Sequence, residues 1–370
     1  MAPVPKGLGM KIYVHIGFAK TGTTTIQSFL HENQFALLGG KRSLVLTGLG
    51  PNANCSELAI YGFQPSATDY KESRFLQRHK IQSAVDYERA CRHVEATLHE
   101  AIGKSKPQAL IVSSEMLSNH LRTEERVSRL AELLWRYSRD IDIIAYVRRQ
   151  DQLWVSMYSQ YLKAGGSAPF ASKPIESLIN FKPTLDSWSR VFGRSSMSVG
   201  VLERSSLRNG DLIDDFLDRV GLDSEGLSRP LIKNERLAVE AAEFLRQMNE
   251  TLPRGRSVSP LLVAALESWS SDKEKLALDL NDCWEIIQSV GPSNAAIARE
   301  YLDRAGGDLF LDMPQRPAEI AIHPPSKAPA SLSASTAVEI ASHLLAAQNH
   351  TIVQLRGELD RLRARVTRSD

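Results

Sequence analysis

Apolar positions along the chain recur in two alternating rhythms. "KIYVHIG" (11–17), "QALIVSSE" (108–115), "IDIIAYV" (141–147) and "SMSVGVLE" (196–203) are short apolar runs of the length expected for strands buried in a parallel sheet. "TTTIQSFLHENQFALL" (23–38) instead sets Ile26, Phe29 and Leu30 on one helical face, and helical spacing returns near 82–103, 123–140, 152–165 and 210–222. Strands alternating with helices predict an α/β fold whose parallel sheet is flanked by helices, with ligands bound beyond the carboxyl ends of the strands. His15, Lys20, Glu115, Arg148 and Glu203 fall at or just beyond such ends. Residues 39–80, with Gly39, Gly40, "GLGPNANC" and "GFQPSATDY", hold one weak apolar run at 44–48 and predict a long irregular segment suited to a binding loop.

From about 234 the pattern is helical only: "NERLAVEAAEFLRQMNETL", "PLLVAALESWSS", "DCWEIIQSV" and "SNAAIAREYLDRAG". These helices are expected to pack beside the sheet, giving one α/β domain over 1–306. Residues 307–335, with five prolines among serine and alanine, predict a linker. In the terminal helix, 336–367, Val338, Ala341, Leu345, Gln348, Ile352, Leu355, Leu359, Leu362 and Val366 keep a 3-4 spacing. That is the seam of a short coiled coil joining two copies in parallel. The same stripe also fits an amphipathic helix folded back on the domain.

Composition narrows the partners. The 370 residues include 45 basic and 43 acidic side chains, a formal charge of +2 that argues against a nucleic-acid footprint or a polybasic membrane surface. Cys55, Cys91 and Cys283 are odd in number and widely spaced, unlike a disulfide framework or a zinc site, so no metal is expected and a cytoplasmic setting is. No run approaches the roughly 18 to 20 apolar residues of a membrane span.

The chemistry concentrates in "GFAKTGTT" (17–24) between the first strand and the first helix. Glycine-loop amides at a helix N-terminus bind phosphate oxygens, because unpaired N–H groups and the helix dipole favour negative charge there. A triphosphate-binding loop places its lysine directly after the second glycine. Here that position is Thr23, and the lysine is Lys20, inside the loop. In "RRQDQLWVS" (148–156), Arg148 ends the third strand and Ser156 lies about two turns into the helix that follows. Arginine suits bidentate phosphate binding.

Paired in this order, the two motifs resemble those of the sulfotransferases that use 3′-phosphoadenosine 5′-phosphosulfate (PAPS), most of all the bacterial members and the carbohydrate-sulfating branch. The resemblance covers about residues 11–222. It implies a P-loop-type fold, with Lys20, Thr21, Gly22, Thr23 and Thr24 on the 5′-phosphosulfate and Arg148 and Ser156 on the 3′-phosphate. It also implies an acceptor hydroxyl, here expected on a sugar or glycan, and no metal. A donor without a β–γ phosphate pair needs a cation beside the departing 5′-phosphate, which Lys20 supplies. Ala19 stands where the family often has proline, and Thr25 where several branches have an aromatic residue. The adenine partner is therefore open; Trp154 is one candidate, although an apolar helix residue fits a core position as well. The basic donor loop near the C-terminus is sought in "LIKNERL" (231–237). Family members draw a proton from the acceptor with glutamate or histidine, which makes Glu115 the candidate base and His15 its rival. A P-loop kinase or nucleotidase would share the fold but wants the misplaced lysine. A non-catalytic scaffold, assembling through the coiled coil, would retain the phosphate loop as a vestige.

Overall fold

The computed structural model describes residues 9–46, 54–170, 176–229, 236–253, 256, 258–315 and 332–366, with the side chains of 350, 352, 353 and 355–366 not among them. In chain order the elements are β1 (Lys11–His15), α1 (Thr23–Lys41), β2 (Ser43–Val45), α2 (Ser56–Phe63), α3 (Asp69–Glu72), α4 (Arg74–Arg78), α5 (Ala84–Ser105) and β3 (Ala109–Ser113). There follow α6 (Glu115–His120), α7 (Glu124–Leu134), β4 (Ile141–Val147), α8 (Gln150–Lys163), α9 (Glu176–Ile179), α10 (Lys182–Phe192), β5 (Met197–Val201) and α11 (Leu212–Arg219). The helices α12 (Val239–Thr251), α13 (Pro260–Trp269), α14 (Leu280–Ser289), α15 (Gly291–Leu302) and α16 (Ala334–Val366) complete the chain.

The chain divides into two compact units, one of Met1–Arg149, Ile175–Ile232 and Gln288–Met313, the other of Gln150–Pro174, Lys233–Ile287 and Pro314–Asp370. The first holds a five-stranded sheet in the order β2-β3-β1-β4-β5, parallel at every pairing. Four of its strands are those the apolar runs predict. The fifth, β2, lies in the segment expected to be irregular, which also folds into α2, α3 and α4. Three residues of edge strand leave too short a run for periodicity to register. Ile26, Phe29, Leu30 and Leu37 of α1 and Ile213, Phe216 and Leu217 of α11 close over Ile111, Ile144 and Tyr146 on one face of the sheet. Toward the other face α10 lies against β4 and β5 and packs on α7, which packs on α2. Strands covered on both sides explain why the predicted runs are apolar throughout rather than alternating.

Leu309 and Phe310, assigned by composition to the linker, are buried in this unit. Glu203, buried at the end of β5, accepts backbone N–H bonds from Leu311 at 2.9 Å and Asp312 at 3.3 Å, so it anchors that segment. Residues 316–331 of the expected linker lie outside the described residues.

In the second unit, Leu237, Ala241 and Leu245 meet Leu266 and Trp269 of α13, and Ile340 of α16 is fully buried among them. The Trp269 Nε1–H donates to Glu339 at 3.1 Å. The first turns of α16 thus fold back on their own unit through Ile340 and Leu344, a different row of the helix from the 3-4 seam. Val338 and Leu345 of the seam are 64% and 62% exposed. The side chains of Ile352, Leu355, Leu359, Leu362 and Val366 lie outside the described residues. No helix among the described residues is long and apolar enough to cross a membrane.

Candidate phosphate-loop site

The loop between β1 and α1 is built by backbone geometry that only part of its sequence announces. Gly22, the residue before α1, is left-handed at φ 86°, and a Cβ there would lie 2.3 Å from Leu212 Cδ2. Glycine is required on both counts. Gly17, at φ +26°, is likewise blocked by Thr23 Oγ1 at 2.5 Å. Lys20 takes φ 60°, a conformation uncommon for a residue with a side chain. No side chain caps α1. Its opening N–H groups have no acceptor within the helix.

The carbonyls of the loop are held from several directions. Thr21, fully buried, donates its hydroxyl to Phe18 O at 2.7 Å, and the buried Thr23 Oγ1 lies 3.4 Å from the same oxygen. These two hydroxyls shape the turn from inside, whereas Thr24 is exposed and Lys20 half-buried. Arg148 Nη1 donates to Lys20 O at 3.0 Å, joining the end of β4 to the loop. The sheet explains the convergence. His15 is in register with Ser113 of β3 and with Ile144 of β4, so the residues that leave β1, β3 and β4 share one edge. Since β1 leads outward to β2 while β4 lies on its other side, this edge is where the strand order reverses, the position at which open parallel sheets bind ligands.

Glu115 opens α6 at that edge. Ser114 caps the helix, its Oγ accepting from Met116 N at 3.2 Å and donating to Asn54 Oδ1 at 2.6 Å. Burial raises the Glu115 carboxyl above its usual range, against the opposing pull of the Lys20 ammonium. A carboxylate with raised basicity beside a loop lysine is suited to taking a proton. His15 is not placed for that work. Its imidazole is fully buried, Nδ1 shares a 2.8 Å hydrogen bond with Ser113 Oγ, and desolvation pushes its pKa down to about 3. The ring sits edge-on to Tyr146 and Phe216 at 5.9 Å, a neutral core residue.

Ser156 lies on the second turn of α8 in the second unit, and its pairing with Arg148 rests on the sequence motif. Trp154 stacks on Phe170 within that same unit, with ring centroids 6.4 Å apart. Residues 231–235 of "LIKNERL" lie outside the described residues. Sequence reasoning missed Ser118, buried one turn after Glu115, whose hydroxyl donates to Gly17 O at 2.6 Å. Its spacing from Glu115 was visible, but a serine inside a short helix carries no signal of a partner 101 residues away.

Among the described residues no cluster of histidine, cysteine, aspartate and glutamate could hold a metal ion, and the three buried cysteines form no disulfide. An uncharacterized protein of Archaeoglobus fulgidus is 27% identical over 197 residues, 52% of this chain. The chain spans about half the length of that relative, 53%. No family model and no solved structure matches the chain.

Proposed function

We propose that this protein is a sulfotransferase that moves the sulfuryl group of 3′-phosphoadenosine 5′-phosphosulfate to an acceptor hydroxyl, with Lys20 and Glu115 as its catalytic residues. The observation that carries the reading is the meeting, on one sheet edge, of an uncapped glycine loop holding Lys20, a carboxyl of raised basicity, and an arginine bonded to the loop. The loop fits such a donor: Gly22 permits the left-handed turn into α1, and a helix opening with no side-chain cap suits an anion.

Each residue then has a distinct task. Glu115 accepts the acceptor's hydroxyl proton as that oxygen bonds to sulfur. The bond from sulfur to the bridging oxygen of the 5′-phosphate breaks, and its electron pair stays on that oxygen. Lys20 and the amides of Gly22, Thr23 and Thr24 stabilise the charge growing there, which favours the transition state over the ground state. Arg148, grouped with Ser156 by its motif, is the grip for the 3′-phosphate, and through Lys20 O it also steadies the loop. A carbohydrate hydroxyl is the preferred acceptor, since a glutamate base marks the carbohydrate-acting branch that the motifs resemble. The exposed seam residues of α16 accord with pairing of two copies as a coiled coil.

The test is transfer of labelled sulfate from the donor to a panel of glycans and small hydroxyl compounds by the full chain, in the presence of a chelator. Transfer that disappears in Glu115→Gln supports the reading. A chain that binds the donor and transfers to no hydroxyl, or that turns over ATP only with Mg²⁺, refutes it.

A further inference from the structure

Three successive carbonyls at the exit of β1 are bonded to the segment that carries Glu115. Ser114 N donates to His15 O at 3.0 Å, Ser118 N to Ile16 O at 3.2 Å, and Ser118 Oγ to Gly17 O at 2.6 Å. Two of these donors are backbone amides, available whatever the side chain. The third is a choice of residue. Ser118 is 1% exposed, and a hydroxyl taken out of water is unfavourable unless it finds a partner. Its single proton goes to Gly17 rather than back to Glu115 O, which lies 3.2 Å away, because the shorter contact is much the stronger. At six residues, α6 is too short to hold its own shape and takes its position from these bonds and from the buried Leu117.

Followed along the chain, the loop is fixed at both ends. Ser118 holds Ile16 and Gly17, Thr21 closes on Phe18, and Arg148 holds Lys20. We propose that Ser118 is a positioning residue that locks the helix bearing Glu115 to the loop bearing Lys20, so that base and cation keep one spacing; this rests on the sulfotransferase reading for its catalytic meaning. Ser118 touches neither substrate in that scheme and acts through Gly17.

A purely structural serine would affect stability and leave the coupling between Glu115 and Lys20 intact. The discriminating experiment is therefore a titration of the Glu115 carboxyl by carbon NMR in the full, ligand-free chain, for the wild type, Ser118→Ala, Lys20→Met and the double variant. Lys20 lowers the Glu115 pKa, so Lys20→Met raises it. If Ser118 sets the spacing, Ser118→Ala raises it too, and the double variant rises no further than Lys20→Met alone. Ser118→Thr, which keeps the hydroxyl, restores the wild-type titration, and Ser118→Cys, nearly the same size with a weaker donor, carries the test if the alanine variant does not fold. An unchanged titration in Ser118→Ala, or shifts that simply add in the double variant, overturns the proposal. On the kinetic side, Ser118→Ala loses about tenfold in kcat, as expected for a misplaced catalytic group, while the affinity for 3′,5′-bisphosphoadenosine stays within about twofold. Coupled titrations in a chain that transfers no sulfuryl group would leave the positioning role standing and remove the function proposed above.

Discussion

The Glu115 carboxyl carries two opposed consequences. Burial disfavours its charged form in the folded chain, so its pKa is raised there. The stability it contributes is complete below the unfolded carboxylate value of about 4.3 and is lost as pH rises through the folded value. Glu115→Gln is therefore expected to raise the thermal midpoint at pH 7, with the gain shrinking as pH falls, while turnover drops about 10² to 10⁴-fold. Calorimetric melts across pH and initial rates check both halves. Lys20→Ala is expected to cost on the order of 10²-fold in turnover with little change in bisphosphate affinity, because its charge is needed most when the bridging oxygen becomes anionic. Arg148→Ala should weaken bisphosphate binding strongly, and Arg148→Lys should fail to restore it, since an ammonium lacks the paired donors of a guanidinium. Equal, small effects of Lys20→Ala and Arg148→Ala on rate and affinity would contradict these assignments.

Among the elements, the loop is the most legible in the sequence and the least by its side chains alone. "GFAKTGTT" between an apolar run and a helical pattern located the loop, and Gly22 justifies itself by its left-handed φ and by Leu212 against it. The sequence did not tell that Thr21 and Thr23 turn inward to Phe18, because a hydroxyl's partner is a matter of tertiary placement. Nor could it show that His15, two residues from Gly17, would be sealed beneath α11 by Phe216. In the same way α10 escaped notice although Trp188 and Leu185 on it are fully buried, for it is short and carries a proline at its start. Gly22→Ala should destabilise the chain by about 1 to 3 kcal/mol through the clash with Leu212, and Leu212→Ala in that background should recover part of the loss. Denaturant unfolding of the single and double variants measures this. Additive losses would show that Leu212 is not the obstacle.

At the scale of the whole chain, α16 has two rows with separate duties. The row of Ile340 and Leu344 belongs to the core of its own unit. Ile340→Ala should lower stability by about 2 to 5 kcal/mol, the range for emptying a buried aliphatic site. The row of Val338 and Leu345 is exposed. Leu345→Asp should leave the melt nearly unchanged yet reduce self-association in light scattering, if the seam pairs two copies. A monomeric wild type at micromolar concentration would remove the coiled coil and leave the core role of Ile340 untouched. The helix itself was legible from its spacing, whereas which row meets the unit was not, since both rows are apolar.

The central proposal is that the glycine loop and Arg148 hold a 3′,5′-substituted adenine nucleotide without metal, with Lys20 reserved for the departing 5′-phosphate. Titration calorimetry of the full chain with 3′,5′-bisphosphoadenosine in a chelator tests it most directly, with ATP and Mg²⁺ as the comparison ligand. The account predicts saturable one-site binding of the bisphosphate, strongly weakened in Arg148→Ala, and weaker binding of ATP. Tight binding of ATP that requires Mg²⁺, with none of the bisphosphate, would contradict it.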